Sequence, residues 1–145
     1  MPPLVRRYIK TAFVFMLLGM LAGAFMSVSQ GFLGRPIPPL LVVAHGHALL
    51  VGFVLMTIIG VATWMFPRPA REDLRYRPEL AEAIYWIMTL GTALRFVAEV
   101  AGAYRPGPEL RVPITVGGLG QALAAVLFVY NMWARVRAPS TLREP

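Results

Sequence analysis

Cysteine is absent from this chain of 145 residues. Its absence excludes disulfides, thiolate metal sites and thiol nucleophiles. Lysine is nearly absent as well: Lys10 stands alone, and the rest of the 14 basic residues are arginines. Asparagine occurs once, as Asn131, and histidine twice, as His45 and His47. Acidic residues number only 7, which leaves a formal net charge of +7. A balance this basic raises nucleic acid as a partner. Here, however, the basic residues lie between apolar blocks rather than in one patch, so the expectation is membrane lipid and no nucleic acid. What remains is apolar: 57% of residues are hydrophobic and the mean hydropathy is +0.62. A soluble domain of this length cannot hide that much apolar surface, whereas in lipid it need not be hidden.

Four apolar blocks carry the hydropathy, at residues 8–30, 39–66, 80–104 and 113–134. Each reaches the roughly 20 residues that a helix needs to cross about 30 Å of hydrocarbon. The first is too long for the apolar part of a signal peptide, and "SVSQGFLGRP" is a poor cleavage site, so it reads as a retained helix. The connections "GFLGRPIPP", "PRPAREDLRYRPE" and "RPGPELRVP" are short and rich in helix breakers. Pro38 and Pro39 suit the first turn of the second helix. The expected fold is all-α: an integral membrane four-helix bundle, with residues 1–145 forming a single transmembrane domain.

The arginines suggest an orientation. Arg6, Arg7 and Lys10 precede the first helix, Arg68, Arg71, Arg75 and Arg77 follow the second, and Arg135, Arg137 and Arg143 follow the fourth. With four alternating crossings these ten share one side, against Arg35, Arg105 and Arg111 on the other. The positive-inside rule then predicts an inner (cell) membrane protein with both termini in the cytoplasm. His45 and His47 fall in the outer turns of the second helix, about 30 Å from its cytoplasmic end.

Glycines mark where helices can approach. Gly19 and Gly23 form a G-x-x-x-G pair, Gly52 and Gly60 lie on the second helix, and Gly117, Gly118 and Gly120 open the fourth. Such residues are ordinary packing sites between membrane helices, and those on the second helix could also seat a flat cofactor. Successive helical residues are about 100° apart, so His45 and His47 point roughly 200° apart and do not chelate one ion from one straight helix. The His45 line continues through Leu49, Gly52, Met56, Gly60 and Thr63, mostly small; the His47 line through Leu50, Val51, Val54 and Ile58 is bulky. A planar ring system lies more easily against the first. A membrane histidine often does no more than hydrogen-bond across helices. Two in a segment this apolar, with none elsewhere, point instead to ligation, since neutral imidazole is a common metal ligand and an axial ligand of haem iron.

The stretch "AHGHALLVGFVLMTIIGVATWMFPR" resembles the second transmembrane helix of subunit I of the haem–copper oxidase and nitric oxide reductase superfamily. It is similar above all to short four-helix relatives, and "GGLGQALAAVLFVYNMW" in the fourth helix is similar to them too. The resemblance implies a helix running from outside to inside whose outer half carries a histidine ligand to a low-spin haem. That direction agrees with the one the charges give. By register His45 with Gly46 matches the oxidase "HG", and by the short relatives His47 also matches. Full-length relatives have about twelve helices and take the second haem ligand, a second haem and three copper-binding histidines from later ones. No histidine follows His47 here, so one copy of this chain cannot rebuild the oxygen-reduction site.

Other residues narrow the expected site. Arg95 and Glu99 can pair at i, i+4 within the third helix, and Arg95 could instead meet a haem propionate, as could Arg35, Arg105 and Arg111. Met20, Met56 and Met88 are candidate soft ligands or core filler. Trp64, Trp86 and Trp133 form an aromatic belt at the inner interface. The resulting expectation is a b-type haem, and hence iron, held by His45 or His47 with Arg95 and Gly52 in the cofactor site. The covalent attachment signature is impossible without cysteine. The expected roles are electron transport or binding of nitric oxide or oxygen, with a redox partner. A homodimer would supply a second imidazole. The alternatives are a non-haem copper or zinc protein, and a structural or assembly subunit with packing histidines.

Overall fold

A computed structural model of the chain describes residues 1–66, 78–133 and 135–136. Arg68, Arg71, Arg75, Arg77, Arg137 and Arg143, which carry much of the predicted orientation, lie outside those residues. Four long helices follow in order: α1 (Pro3–Gly31), α2 (Pro39–Met65), α3 (Pro78–Tyr104) and α4 (Arg111–Trp133), the last entered through a 3-10 turn at Pro108–Leu110. Among the described residues there is no strand. All four helices are long and apolar enough to cross a membrane, so the protein has the all-α, four-helix membrane architecture that its hydropathy predicts.

Proline sets several starts, because the first helical N–H groups have no partner to lose. Helix α1 begins at Pro3, ahead of the apolar block, since Val5 is already buried at 1% exposure. Helix α4 begins at Arg111, and Pro113 falls in its first turn. After α1 the chain turns at Gly34, whose φ of 59° favours glycine, and the Arg35 N–H reaches back 3.0 Å to the Ser29 carbonyl.

Each helix packs chiefly on its sequence neighbour, α1 on α2, α2 on α3 and α3 on α4. Tyr8, Ala12 and Phe15 of α1, Met56 and Ile59 of α2, Ile84, Tyr85 and Met88 of α3 and Ala124 of α4 form the core. Met56 and Met88 are fully buried there, whereas Met20 is exposed. Leu21, Leu50, Leu90 and Leu119 lie on open outer faces. In hydrocarbon such faces cost nothing. What joins the helices is close packing and polar contacts.

Helix α2 is not uniform. It is α-helical to His47, π-helical over Ala48–Leu55 and α-helical again from Met56. Ala44, Ala48, Gly52, Met56 and Gly60, each four residues from the next, are all buried. A four-residue step drifts about 40° per repeat around an α-helix. The wider i→i+5 turns offset that drift and keep the row on one face. The face packs on α1. A Cβ at Gly52 would lie 2.5 Å from Phe15, and one at Gly60 would lie 2.8 Å from Tyr8.

Arg135 does not behave as a solvated flanking charge. It is 2% exposed, and its guanidinium donates to the Thr63 carbonyl at 2.9 Å, to the Phe66 carbonyl and to Met132 Sδ at 3.3 Å. These are carbonyls at the end of α2, which have no partner within the helix and favour a nearby cation. Arg135 thus clamps the end of α4 to the end of α2.

Candidate functional site

His45 sits in the second turn of α2 and His47 in the third, and their rings turn to different neighbours. His45 Nδ1 lies 2.8 Å from the Gly19 carbonyl of α1. His47 Nδ1 lies 3.1 Å from Glu99 Oε2 of α3. Both partners are acceptors: a carbonyl has no proton to give, and the Glu99 carboxylate is paired with Arg95. Each Nδ1 therefore carries the proton and donates it, which leaves Nε2 of each neutral ring with a free lone pair. An imidazole anchored at one nitrogen and bare at the other is the usual form of a metal-ligating histidine.

The seat of His45 explains the G-x-x-x-G pair. The Gly19 carbonyl holds the ring, and a Cβ at Gly23 would stand 2.8 Å from His45 Cε1. Gly19 also faces Leu49, whose Cδ2 would be 2.6 Å from an added Cβ. Beside His45 is a cavity of about 400 Å³ lined by Gly23, Met26, Ser27, Gln30, Ile37, Val42 and His45. The Gly52 and Gly60 part of the His45 line is taken by Phe15 and Tyr8, so room for a planar group lies nearer the start of α2, beside Gly23. A free imidazole nitrogen next to a cavity of mixed apolar and polar lining fits an axial haem ligand.

His47 belongs to a chain of polar contacts across three helices. Glu99, 1% exposed, receives His47 on Oε2 and the Arg95 Nε–H on Oε1 at 2.8 Å. Arg95 Nη1 donates to Gln121 Oε1 of α4 at 3.2 Å, and Gln121 Nε2 donates to Thr92 Oγ1 at 3.2 Å. Glycines let α4 come close enough. A Cβ at Gly117 would meet the Gly91 carbonyl at 2.7 Å and Arg95 Cβ at 2.8 Å, and one at Gly118 would meet Arg95 Nη1 at 3.0 Å. The Arg95–Glu99 pair was legible from its spacing. Its partners His47, Gln121 and Thr92 were not, although a glutamine in an apolar span is itself a signal. Met26, on the wall of the His45 cavity, was also missed.

Arg35 and Arg105 are exposed in the connections at the histidine end, and Arg111 is exposed there as the first residue of α4. Among the described residues no group of three or more His, Cys, Asp or Glu could hold a metal ion. A copper or zinc ion held by this chain alone has no ligand set there.

A family model described as cytochrome c and quinol oxidase polypeptide I matches residues 3–144. No curated protein and no solved structure gives a significant match. The chain belongs to the cytochrome c and quinol oxidase polypeptide I family and is a haem–copper oxidase-like integral membrane protein.

Proposed function

We propose that this member of the cytochrome c and quinol oxidase polypeptide I family holds one b-type haem through a histidine of α2, with His45 as the ligand, and serves electron transfer or the binding of a small gas such as nitric oxide or oxygen. The observation that carries the reading is the His45 ring: Nδ1 is tied to the Gly19 carbonyl at 2.8 Å, and the ring edges a cavity that Gly23 helps to open. The bound group would supply the redox chemistry or the gas-binding iron. The chain supplies the nitrogen donor, the small residue that admits the ring and a lining in which Met26, Ile37 and Val42 stand beside Ser27 and Gln30. Arg95 is occupied by Glu99 and Gln121, so for it to meet a propionate one of those bonds has to open. For Gly52 to meet the macrocycle, Phe15 has to turn aside.

A six-coordinate iron needs a second donor. His47 faces α3 and does not reach an iron held by His45 of the same chain. Met26 lines the same cavity, and a homodimer would bring an imidazole from the second copy. The balance of flanking arginines supports both termini in the cytoplasm, with the histidine-bearing end on the other side, and electron transfer would call for a redox partner.

The test is the visible spectrum of the purified protein, oxidised and dithionite-reduced. A Soret band with b-type reduced bands is expected. His45→Ala should abolish it or convert its spin state, and His47→Ala should do less. A colourless wild-type protein, or an unchanged spectrum in both variants, overturns the assignment.

A further inference from the structure

The haem reading uses His45 and leaves unexplained why a carboxylate is buried against His47. Glu99 is 1% exposed within an apolar span, and three groups hold it in place: Arg95 at 2.8 Å, Gln121 behind Arg95, and Thr92 behind Gln121. Helices α2, α3 and α4 all contribute. A self-neutralising Arg–Glu pair at i, i+4 needs only one carboxylate oxygen. Here the second oxygen is spent on the His47 ring.

We propose that Glu99 is a positioning residue for His47. It fixes the proton on Nδ1 and so leaves Nε2 of His47 as a second nitrogen donor. The two imidazoles then differ in kind: His45 leans on a neutral carbonyl and His47 on a carboxylate, a common support of a metal-ligating imidazole. His47 has 25% of its side chain accessible while Glu99 is sealed, so the donor is reachable and its support is not. The ligand class is a transition-metal centre, haem iron included, met from outside this chain. The H-x-H motif therefore offers two donors to two separate centres rather than a clamp for one. The inference rests on the reading that the α2 imidazoles are ligands.

The scarcity of histidine makes the test direct. In His45→Gln protein labelled with 15N-histidine, both ring signals belong to His47, and no haem is needed to read them. The expected result is one fixed tautomer, protonated at Nδ1 and bare at Nε2. Glu99→Gln offers one acceptor oxygen where Glu99 offers two, so Arg95 and His47 compete for it and the Nδ1–H tautomer should lose its exclusive population. Glu99→Leu alone strands the Arg95 charge, so Arg95→Leu with Glu99→Leu is the matched control. There the His47 signals should collapse to the averaged positions of a ring that samples both tautomers. A proton on Nε2, protons on both nitrogens, or signals indifferent to the loss of Glu99 would overturn the proposal. A colourless wild-type protein that still shows the fixed tautomer sinks the haem reading and keeps this one. A haem-loaded wild-type protein whose His47 lacks that tautomer does the reverse.

Discussion

Removing either charge of the Arg95–Glu99 pair should be far more damaging than removing both. Glu99 is 1% exposed and Arg95 has 24% of its side chain accessible, so Glu99→Leu leaves a guanidinium in apolar surroundings with only Gln121 as partner. Losing one member of a buried pair costs about 3–5 kcal/mol. Glu99→Leu also orphans the His47 Nδ1–H, at about 1–3 kcal/mol. Arg95→Leu leaves the carboxylate with the His47 proton alone and costs a similar 3–5 kcal/mol. The double variant strands no charge, and its expected cost is the orphaned histidine and glutamine groups, about 1–3 kcal/mol each. The double-mutant cycle should therefore show a coupling of about 3 kcal/mol or more. Thermal unfolding in detergent, followed by the fluorescence of Trp64, Trp86 and Trp133, is the assay. At about 2–4 °C per kcal/mol for a chain of this size, each single variant should lose about 10 °C and the double variant markedly less than their sum. Single losses below about 1 kcal/mol, with a strictly additive double, would refute the view that this network is buried and mutually supporting.

Other outcomes follow from the same geometry. Gly117→Ala puts a methyl 2.7 Å from the Gly91 carbonyl. Ordinary contact begins near 3.5 Å, so the α3 and α4 backbones must part by about 0.8 Å, at about 1–3 kcal/mol; an unchanged melting temperature would contradict that approach. Arg135→Leu uncaps the end of α2 and should cost about 1.5–3 kcal/mol, read as earlier proteolysis or hydrogen exchange at residues 60–66, whereas protection equal to wild type would place Arg135 elsewhere. Reporter fusions at Pro145 and within residues 105–111 should report cytoplasmic and external locations respectively; an external signal from the first overturns the orientation. Mass in detergent, paired with the ferrous spectrum with and without carbon monoxide, should give a dimer without a rapid carbon monoxide shift, and a monomer that shifts at once defeats the bis-imidazole arrangement.

What the sequence made legible depended on range. Hydropathy sees each residue's solvent, so all four helices were visible. Helical spacing sees neighbours on one helix, so the Arg95–Glu99 pair and the opposed directions of His45 and His47 were visible too. Contacts between helices depend on how one is slid and turned against another, which no single helix encodes. His47 with Glu99 and Arg95 with Gln121 therefore appeared only in three dimensions. The π segment lay between these cases. A straight-helix reading ran the His45 line through Leu49 and Gly52, but the row Ala44, Ala48, Gly52, Met56 and Gly60 repeats at four residues, and an unbroken α-helix cannot keep such a row on one face. That repeat was readable in advance. The bonds of Arg135 to the Thr63 and Phe66 carbonyls were not legible either, because a count of flanking charges says at which end of a helix a residue sits and not what it bonds to.

The polar contacts also answer a problem peculiar to lipid. Apolar faces do not distinguish one helix from another when the solvent is itself apolar, so register must come from directional bonds and from close backbone approach. His45 bonds α2 to α1 and His47 bonds α2 to α3, while Arg95 and Gln121 bond α3 to α4. Gly23 and Gly117 are the small residues that let the first and last of these contacts form. The same imidazoles that offer bare nitrogens therefore fix where α2 sits between its neighbours. A substitution at either histidine loosens an interhelical bond along with the donor, so a change of spectrum alone does not separate ligand from packing. Gly23→Ala makes the separation: it keeps both imidazoles and crowds only the His45 ring, by a methyl 2.8 Å from Cε1. If His45 is the ligand, that variant alters the haem while leaving the His47–Glu99 contact and the α3–α4 seam intact.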